Sequence, residues 1–212
     1  MTDKGLFITF EGLDGCGKTT QMRMLGERLR RDGRTVVETV EPGGTAIGQG
    51  IRRILLDPAN HGMDSIAEML LYFAARAQNI HEVVEPALAV GNIVLSDRWT
   101  DSTFAYQGYG RQLGGDVVDR LDAIACRGRK PHLTFWIDID LDTSLERARR
   151  RNVEDANTET RMDDQSRAFF ARASAGYEAL VEREPERVYR IDGRGTPEEV
   201  AARVAAVIDD VR

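Results

Sequence analysis

Apolar positions along the chain are of two alternating kinds. Residues 6–10, 36–40, 93–96, 133–139 and 188–191 are short runs rich in Val, Ile and Phe, bounded by turn-forming or charged residues, and each predicts a strand. Between the first two, Met22, Leu25 and Leu29 share one helical face, and Gly33 is placed to end that helix. A longer periodic stretch, 66–90, is interrupted by Pro86 and predicts one or two helices; others are expected over 117–127, 143–151 and 164–183. A last helix opens at Thr196, which can cap it, with Pro197 in the first turn and Glu199 completing a capping box. Strands alternating with helices in this way imply right-handed crossovers and an α/β fold, a parallel sheet with both faces covered. Only 152–160 is polar without periodicity, and it reads as a loop; nothing divides residues 1–212 into separate domains.

Charge narrows the partners. The 29 basic and 35 acidic residues leave a net charge of -6, which argues against a general nucleic-acid coat or a polybasic membrane binder, since both need excess cation. All but three of the basic residues are arginine; Lys4, Lys18 and Lys130 are the exceptions. Cys16 and Cys126 cannot build a disulfide framework and show no metal-ligand spacing, so a reduced, cytoplasmic setting is expected. The start Met1-Thr2-Asp3-Lys4 lacks a signal-peptide pattern, and no apolar run approaches the roughly 20 residues of a membrane span.

The segment Gly12-Leu13-Asp14-Gly15-Cys16-Gly17-Lys18-Thr19 satisfies G-x-x-x-x-G-K-[ST], and it follows a predicted strand and opens a predicted helix, as that phosphate-binding loop requires. Its glycines let backbone N–H groups converge on phosphate oxygens, Lys18 neutralises β/γ-phosphate charge, and Thr19 can ligate Mg²⁺. A nucleoside triphosphate is the expected ligand. Cys16 at this helix start admits two readings, a small loop filler or a stabilised thiolate. The strand 93–96 runs into Asp97-Arg98, where a carboxylate could hold Mg²⁺ through water and a guanidinium could fork onto a second phosphate; an ordinary ion pair at a strand end fits the same residues.

Taken with that loop, Phe10-Glu11 before it and Thr20 after it, the elements Glu41-Pro42-Gly43-Gly44-Thr45, Leu71-Tyr72-Phe73-Ala74-Ala75-Arg76, Asp97-Arg98-Trp99 and Ser102 with Ala105-Tyr106-Gln107-Gly108 resemble the bacterial thymidylate kinases. The resemblance implies a P-loop kinase of the nucleoside monophosphate kinase type, with a five-stranded parallel sheet flanked by helices. It implies a homodimer that transfers the γ-phosphoryl group of ATP to dTMP, with Mg²⁺, giving dTDP on the way to dTTP. It places ATP on Gly12 to Thr20, and dTMP among Glu41, Pro42, Tyr72, Phe73, Arg76, Arg98, Ser102, Tyr106 and Gln107. Tyr72 would face thymine, Arg76 its edge and Arg98 its phosphate, Asp14 would lie near the acceptor sugar, and Thr19 and Asp97 would serve the metal. Tyr72 read alone favours a core position; its i, i+4 spacing to Arg76, which puts both on one helical face, turns the reading toward the pocket.

Two departures from the family pattern matter. Val40 stands where an Arg often precedes E-P-G-G-T, which throws more of the acceptor phosphate onto Arg98. Gly15 stands where some members carry an Arg in the loop, so transition-state charge must come from elsewhere. The run Arg147, Arg149, Arg150, Arg151 and then Arg161 resembles the arginine-bearing lid of the bacterial form, over about 147–163, with Arg151 catalytic and Arg149 and Arg161 beside ATP. Without Gly15, the same run reads as a solvated helix face. The competing functions are a kinase for another nucleotide or nucleoside, and a nucleotide-binding switch that transfers nothing.

Overall fold

The computed structural model describes residues 5–154 and 158–211. The first four residues, read above for a leader, and 155–157, inside the expected loop and lid, lie outside the described residues. The five expected strands all form: β1 (Leu6–Glu11), β2 (Val36–Val40), β3 (Ile93–Asp97), β4 (Leu133–Asp138) and β5 (Val188–Asp192). They pair in parallel in the order β2-β3-β1-β4-β5.

The strands are nearly continuous apolar runs because both faces are covered. On one face α1 (Lys18–Arg31) and α9 (Pro197–Val211) bury Met22, Leu25, Leu29, Val200, Val204 and Ile208 against Ile8, Phe10, Leu95, Phe135 and Ile137. The alternate strand residues Phe7 and Val94 meet Ile80, Val84 and Trp99 on the other face. There too α2 (Ala46–Leu56), α3 (Ser65–Asn79), α6 (Gly115–Ala125) and α8 (Arg167–Arg183) gather around Trp136 and Val188. Burying one such large apolar side chain contributes about 1.5–3 kcal/mol, so this two-sided core is what fixes the sheet. The capping box at α9 is present: Thr196 N–H donates to Glu199 Oε2 at 2.8 Å and Glu199 N–H to Thr196 Oγ1 at 3.3 Å.

Residues 66–90 form one continuous rod, in which α3 passes through a wide π turn (Ile80–Val84) into α4 (Glu85–Ala89). The wide turn accommodates Pro86, whose ring would crowd the carbonyl four residues earlier in a regular helix. Two helical segments had no counterpart in the periodicity: α2, and α5 (Thr100–Thr103) with the π turn Phe104–Gly110 after it. Gly48 and Gly50 depress the helical signal of the first, and a Thr/Ser-rich start with Gly108 and Gly110 depresses that of the second. Thr45 was the available clue to α2, since its hydroxyl accepts from Gly48 N–H at 2.9 Å as an N-cap. The helix expected over 143–151 is longer, α7 (Leu141–Glu154), and α8 starts at Arg167 behind a Ser166 cap.

β1 is central, and the chain leaves it to one side for β3 and β2 and to the other for β4 and β5. The crevice at the carboxyl ends of β1 and β3 is where such sheets bind ligands. The glycine loop and Asp97-Arg98 both open into it.

Candidate active site

The glycine loop is built from backbone conformations that other residues avoid. Gly12, Gly15 and Gly17 have φ of 134°, 83° and 95°. At Gly15 a Cβ would stand 2.5 Å from Ser144 O and 2.9 Å from Ala148 N, because α7 lies directly on the loop there. An arginine at position 15 is therefore sterically excluded, and Ser144 Oγ seals the contact by donating to Asp14 O at 2.6 Å. The helix that takes up the room carries Arg147 and Arg151 across the loop.

Among the described residues no side chain caps the start of α1, and its first turn carries no acid, so its N–H groups remain available to an anion. Lys18 Nζ lies 3.3 Å from Asp14 Oδ1 and 3.5 Å from Leu13 O. Thr19 Oγ1 donates to Asp97 Oδ2, which brings the two expected metal ligands together. Cys16 is buried, and burial pushes its thiol up, which supports the loop-filler reading over a stabilised thiolate.

Beside the loop opens a cavity of about 280 Å³, lined on the loop side by Asp14, Lys18 and Thr19, and by Asp97, Arg98 and Ser102 from the end of β3 onward. Glu41, Pro42 and Arg52 line it from beyond β2, and Tyr72, Arg76, Thr103, Tyr106 and Gln107 from the helical side. Arg151, Glu159, Met162 and Asp163 close it from the 147–163 segment.

Arg98 is the hinge between loop and cavity. Its Nη1 donates to Gly12 O at 3.0 Å and Ser102 Oγ at 2.9 Å, its Nη2 to Asp14 Oδ1 at 2.8 Å, and its guanidinium lies 5.1 Å from the Tyr106 ring centre. Its φ of 71° is rare for a long side chain. Burial alone would raise the Asp14 carboxyl, but the charges of Arg98 and Lys18, with Arg151 behind them, hold it well below the usual carboxylate range. Asp14 is therefore ionised and acts as an acceptor.

Deeper in the cavity Arg76 is 1% exposed and lies over the rings of Phe73, at 5.0 Å, and Trp99, at 5.5 Å. Its Nη2 donates to Trp99 O and Thr103 Oγ1, whereas Nε and Nη1 make no hydrogen bond among the described residues. Glu41 Oε2 forms a long ion pair with Arg76 Nε at 4.0 Å and likewise makes no hydrogen bond among the described residues. Burial raises the Glu41 carboxyl to about 7 against the opposing influence of Arg76 and an Asn79 hydrogen bond. Unsatisfied donors and an acceptor at the floor of a partly apolar cavity suit a flat ligand with polar edges.

Some expected site residues lie away from the cavity lining. Phe73 is buried in the helical core and absent from the cavity lining; it supports Arg76 from behind. Arg161, expected beside ATP, is 3% exposed, donates through Nε to Leu55 O and pairs through Nη2 with Glu68 at 2.7 Å. An apolar neighbourhood with one buried carboxylate draws that guanidinium inward, away from the loop. Glu68 also pairs with Arg111 and accepts from Gln107 Nε2, so the Gln107 amide is partly engaged although it lines the cavity. Arg149 is exposed on α7, outside the cavity, and Thr20 is exposed on α1. Val40 lines the cavity as an apolar surface, and a cation does reach the region from α2: Arg52 donates to Pro42 O and pairs with Glu159.

Thr103, Asp163, Arg52 and Glu11 were missed as site residues. The sequence carried a signal for Glu11, a lone carboxylate closing an apolar strand, and Asp163 follows Arg161-Met162; Arg52 and Thr103 sit on the two helices that periodicity did not show.

A thymidylate kinase family model matches residues 10–204. The chain is 47% identical over 206 residues to the thymidylate kinase of Pelobacter propionicus, covering 96% of this chain and 94% of the relative. It is 47% identical over 206 residues to that of Geotalea uraniireducens, with 96% and 97% covered. Its fold matches the crystal structure of thymidylate kinase from Ehrlichia chaffeensis with a TM-score of 0.78 at 31% identity, covering 97% of this chain and 99% of that one. A glycine loop opening a helix faces a cavity lined by the half-buried Arg98, and the chain belongs to the thymidylate kinase family, the enzymes that phosphorylate dTMP to dTDP with ATP.

Proposed function

We propose that dTMP fills the cavity with its phosphate at Arg98, its base between Tyr72 and the Arg76 edge, and its sugar near Asp14, while ATP lies along Gly12 to Thr20 with its terminal phosphates at Lys18. The observation that carries this reading is the placement of Arg98, one guanidinium bonded to the loop through Gly12 O and Asp14 and open to the cavity. Pro42, Ser102, Tyr106 and Gln107 wall the acceptor. Thr19 and Asp97 form an oxygen-only pair of the kind Mg²⁺ selects, and with few protein ligands the ion would draw the rest of its shell from phosphates and water. Bound there, Mg²⁺ would neutralise charge on the terminal phosphates. Arg151, in the cavity wall and near enough to lower the Asp14 carboxyl, is the cation that offsets Gly15. Arg149 contributes from the outer face of α7, and segment 147–163 acts as a lid that excludes water.

Adjacent helices α2 and α3 expose Ile47, Ile54, Ile66 and Leu70, an apolar face suited to a second copy in a homodimer. No helix among the described residues is long and apolar enough to cross a membrane; the unpaired cysteines and the substrates suit a cytoplasmic setting.

Turnover of dTMP, dUMP, dGMP and thymidine measured side by side tests the reading. ADP formation should depend on added acceptor and be fastest with dTMP; preference for another acceptor contradicts the pocket assignment. Sedimentation at micromolar concentration should give the mass of two chains, and a monomer would remove the dimer.

A further inference from the structure

The guanidinium that serves the acceptor phosphate is itself held by groups that converge on Glu11, the last residue of β1. Glu11 is fully buried; its Oε1 accepts from Trp99 N–H at 2.6 Å, and its Oε2 accepts from Ser102 Oγ and, at 3.1 Å, from Tyr177 Oη. Each of these three groups adjoins Arg98. Trp99 follows it in the chain, Ser102 Oγ is 2.9 Å from its Nη1, and Tyr177 Oη is 3.5 Å from the same nitrogen. The left-handed backbone at Arg98 persists only where surrounding bonds over-determine it, and the Trp99 N–H to Glu11 bond fixes the next peptide.

Hydroxyl direction adds a second constraint. An ionised carboxylate only accepts, so it draws the Ser102 and Tyr177 protons toward Glu11, either directly from each or with one hydroxyl donating through the other across their 3.0 Å contact, and leaves lone pairs to face the Arg98 N–H. A neutral carboxyl, or an amide, offers a donor at one of these contacts and turns a hydroxyl proton back toward the guanidinium. We propose that Glu11 is a positioning residue for acceptor binding: through Trp99, Ser102 and Tyr177 its carboxylate sets the pose in which Arg98 receives the dTMP phosphate. This rests on the assignment of that phosphate to Arg98.

The charged and titratable groups facing Glu11 are Asp101 from α5, itself paired with Arg187, Arg98 from the loop after β3, and Tyr177 from α8. Burial, then Asp101, raises the Glu11 carboxyl to about 7 against the opposing influence of Arg98 and its hydrogen bonds. The relay therefore switches on as pH rises through neutrality.

The test is steady-state kinetics of the full chain and its Glu11→Gln and Arg98→Ala variants from pH 6 to 8.5, with melting curves to establish folding. At pH 8, Glu11→Gln should raise KM for dTMP about tenfold and leave KM for ATP within about twofold. The ratio of variant to wild-type KM for dTMP should fall toward one as pH drops to 6, because the wild-type carboxyl is then neutral too; ionisation of the dTMP phosphate and of Glu41 is common to both proteins and cancels. A ratio independent of pH, or equal changes in the two KM values, overturns the proposal. If Arg98→Ala leaves KM for dTMP unchanged, the phosphate assignment itself fails and the relay with it. If Arg98→Ala raises that KM and Glu11→Gln does not, the relay alone fails. Should Glu11→Gln not fold, Ser102→Ala takes its place, with a raised KM for dTMP and a flatter pH dependence expected; an unchanged KM overturns the proposal.

Discussion

The two halves of the crevice, as proposed to hold the donor and acceptor phosphates, are built from different materials. On the loop side the donors are backbone N–H groups of a glycine-built turn and one lysine, all within eight consecutive residues. On the cavity side the cation proposed for the acceptor phosphate is Arg98, with Arg76 deeper at the proposed base edge, and the two are held by groups from the glycine loop, α5 and α8. The loop needs little support because its geometry is local. The cavity arginines lie among carboxylates that burial perturbs, Glu11, Glu41 and Asp14, and their pose depends on contacts far apart in sequence. Damage to the first half should therefore be local and chemical, whereas the second half should also fail through its supports.

The largest expected effects come from the two cations that each half cannot replace. Lys18→Ala should lower kcat, and Arg98→Ala should lower kcat/KM for dTMP by about 100-fold or more, since each removes charge-assisted phosphate contacts of roughly 1.5–3 kcal/mol, more when desolvated. Comparable loss of ATP and dTMP recognition in Arg98→Ala would erase the division between the halves. Next in size is Arg151→Ala, expected to lower kcat by about 100-fold with KM for ATP changed less than about threefold, because a lid cation is needed chiefly as charge develops. Unchanged kcat would return the run of arginines on α7 to a solvated helix face.

A stability effect follows on the helical side. Glu68 is 0% exposed and joins Arg111, Arg161 and Gln107. Burial alone would raise its carboxyl, but hydrogen bonds from Arg111 and Gln107 and the charges of Arg111 and Arg161 hold it below its ordinary value. Glu68→Gln leaves buried guanidinium charge unpaired and should cost about 3–5 kcal/mol in denaturant unfolding at pH 7. Because the folded value is depressed, that stabilisation is present above the ordinary carboxylate range and is lost as pH falls through the depressed value, so the gap between variant and wild type should narrow in acid. The smallest effect is expected at exposed Arg149, where alanine should raise KM for ATP by only about two- to fivefold.

How much could be read beforehand follows the same division. The loop was legible because consecutive residues build it, and the strands because burial on both faces leaves uninterrupted Val, Ile and Phe. The Tyr72 and Arg76 pair came from the family resemblance, with the spacing of four along one helix in support. Linear position does not say which buried carboxylate or ring lies across the core, so the inward turn of Arg161 toward Glu68, 93 positions earlier in the chain, and the packing of Phe73 behind Arg76 were not legible. Gly15 was read as a missing charge, and the reason for it, the backbone of α7 at 2.5 Å, exists only after folding. α2 and α5 escaped because glycine and hydroxyl residues blur the helical period, and Arg52 and Thr103 escaped with them.

The central claim is that Arg98 holds the acceptor phosphate in the cavity beside the loop. Calorimetric binding of dTMP and of thymidine to the wild type and to Arg98→Ala tests it most directly. The account predicts that dTMP binds the wild type more tightly than thymidine, and that this preference collapses toward one in Arg98→Ala while thymidine binding changes little. A preference for dTMP retained in Arg98→Ala would contradict it.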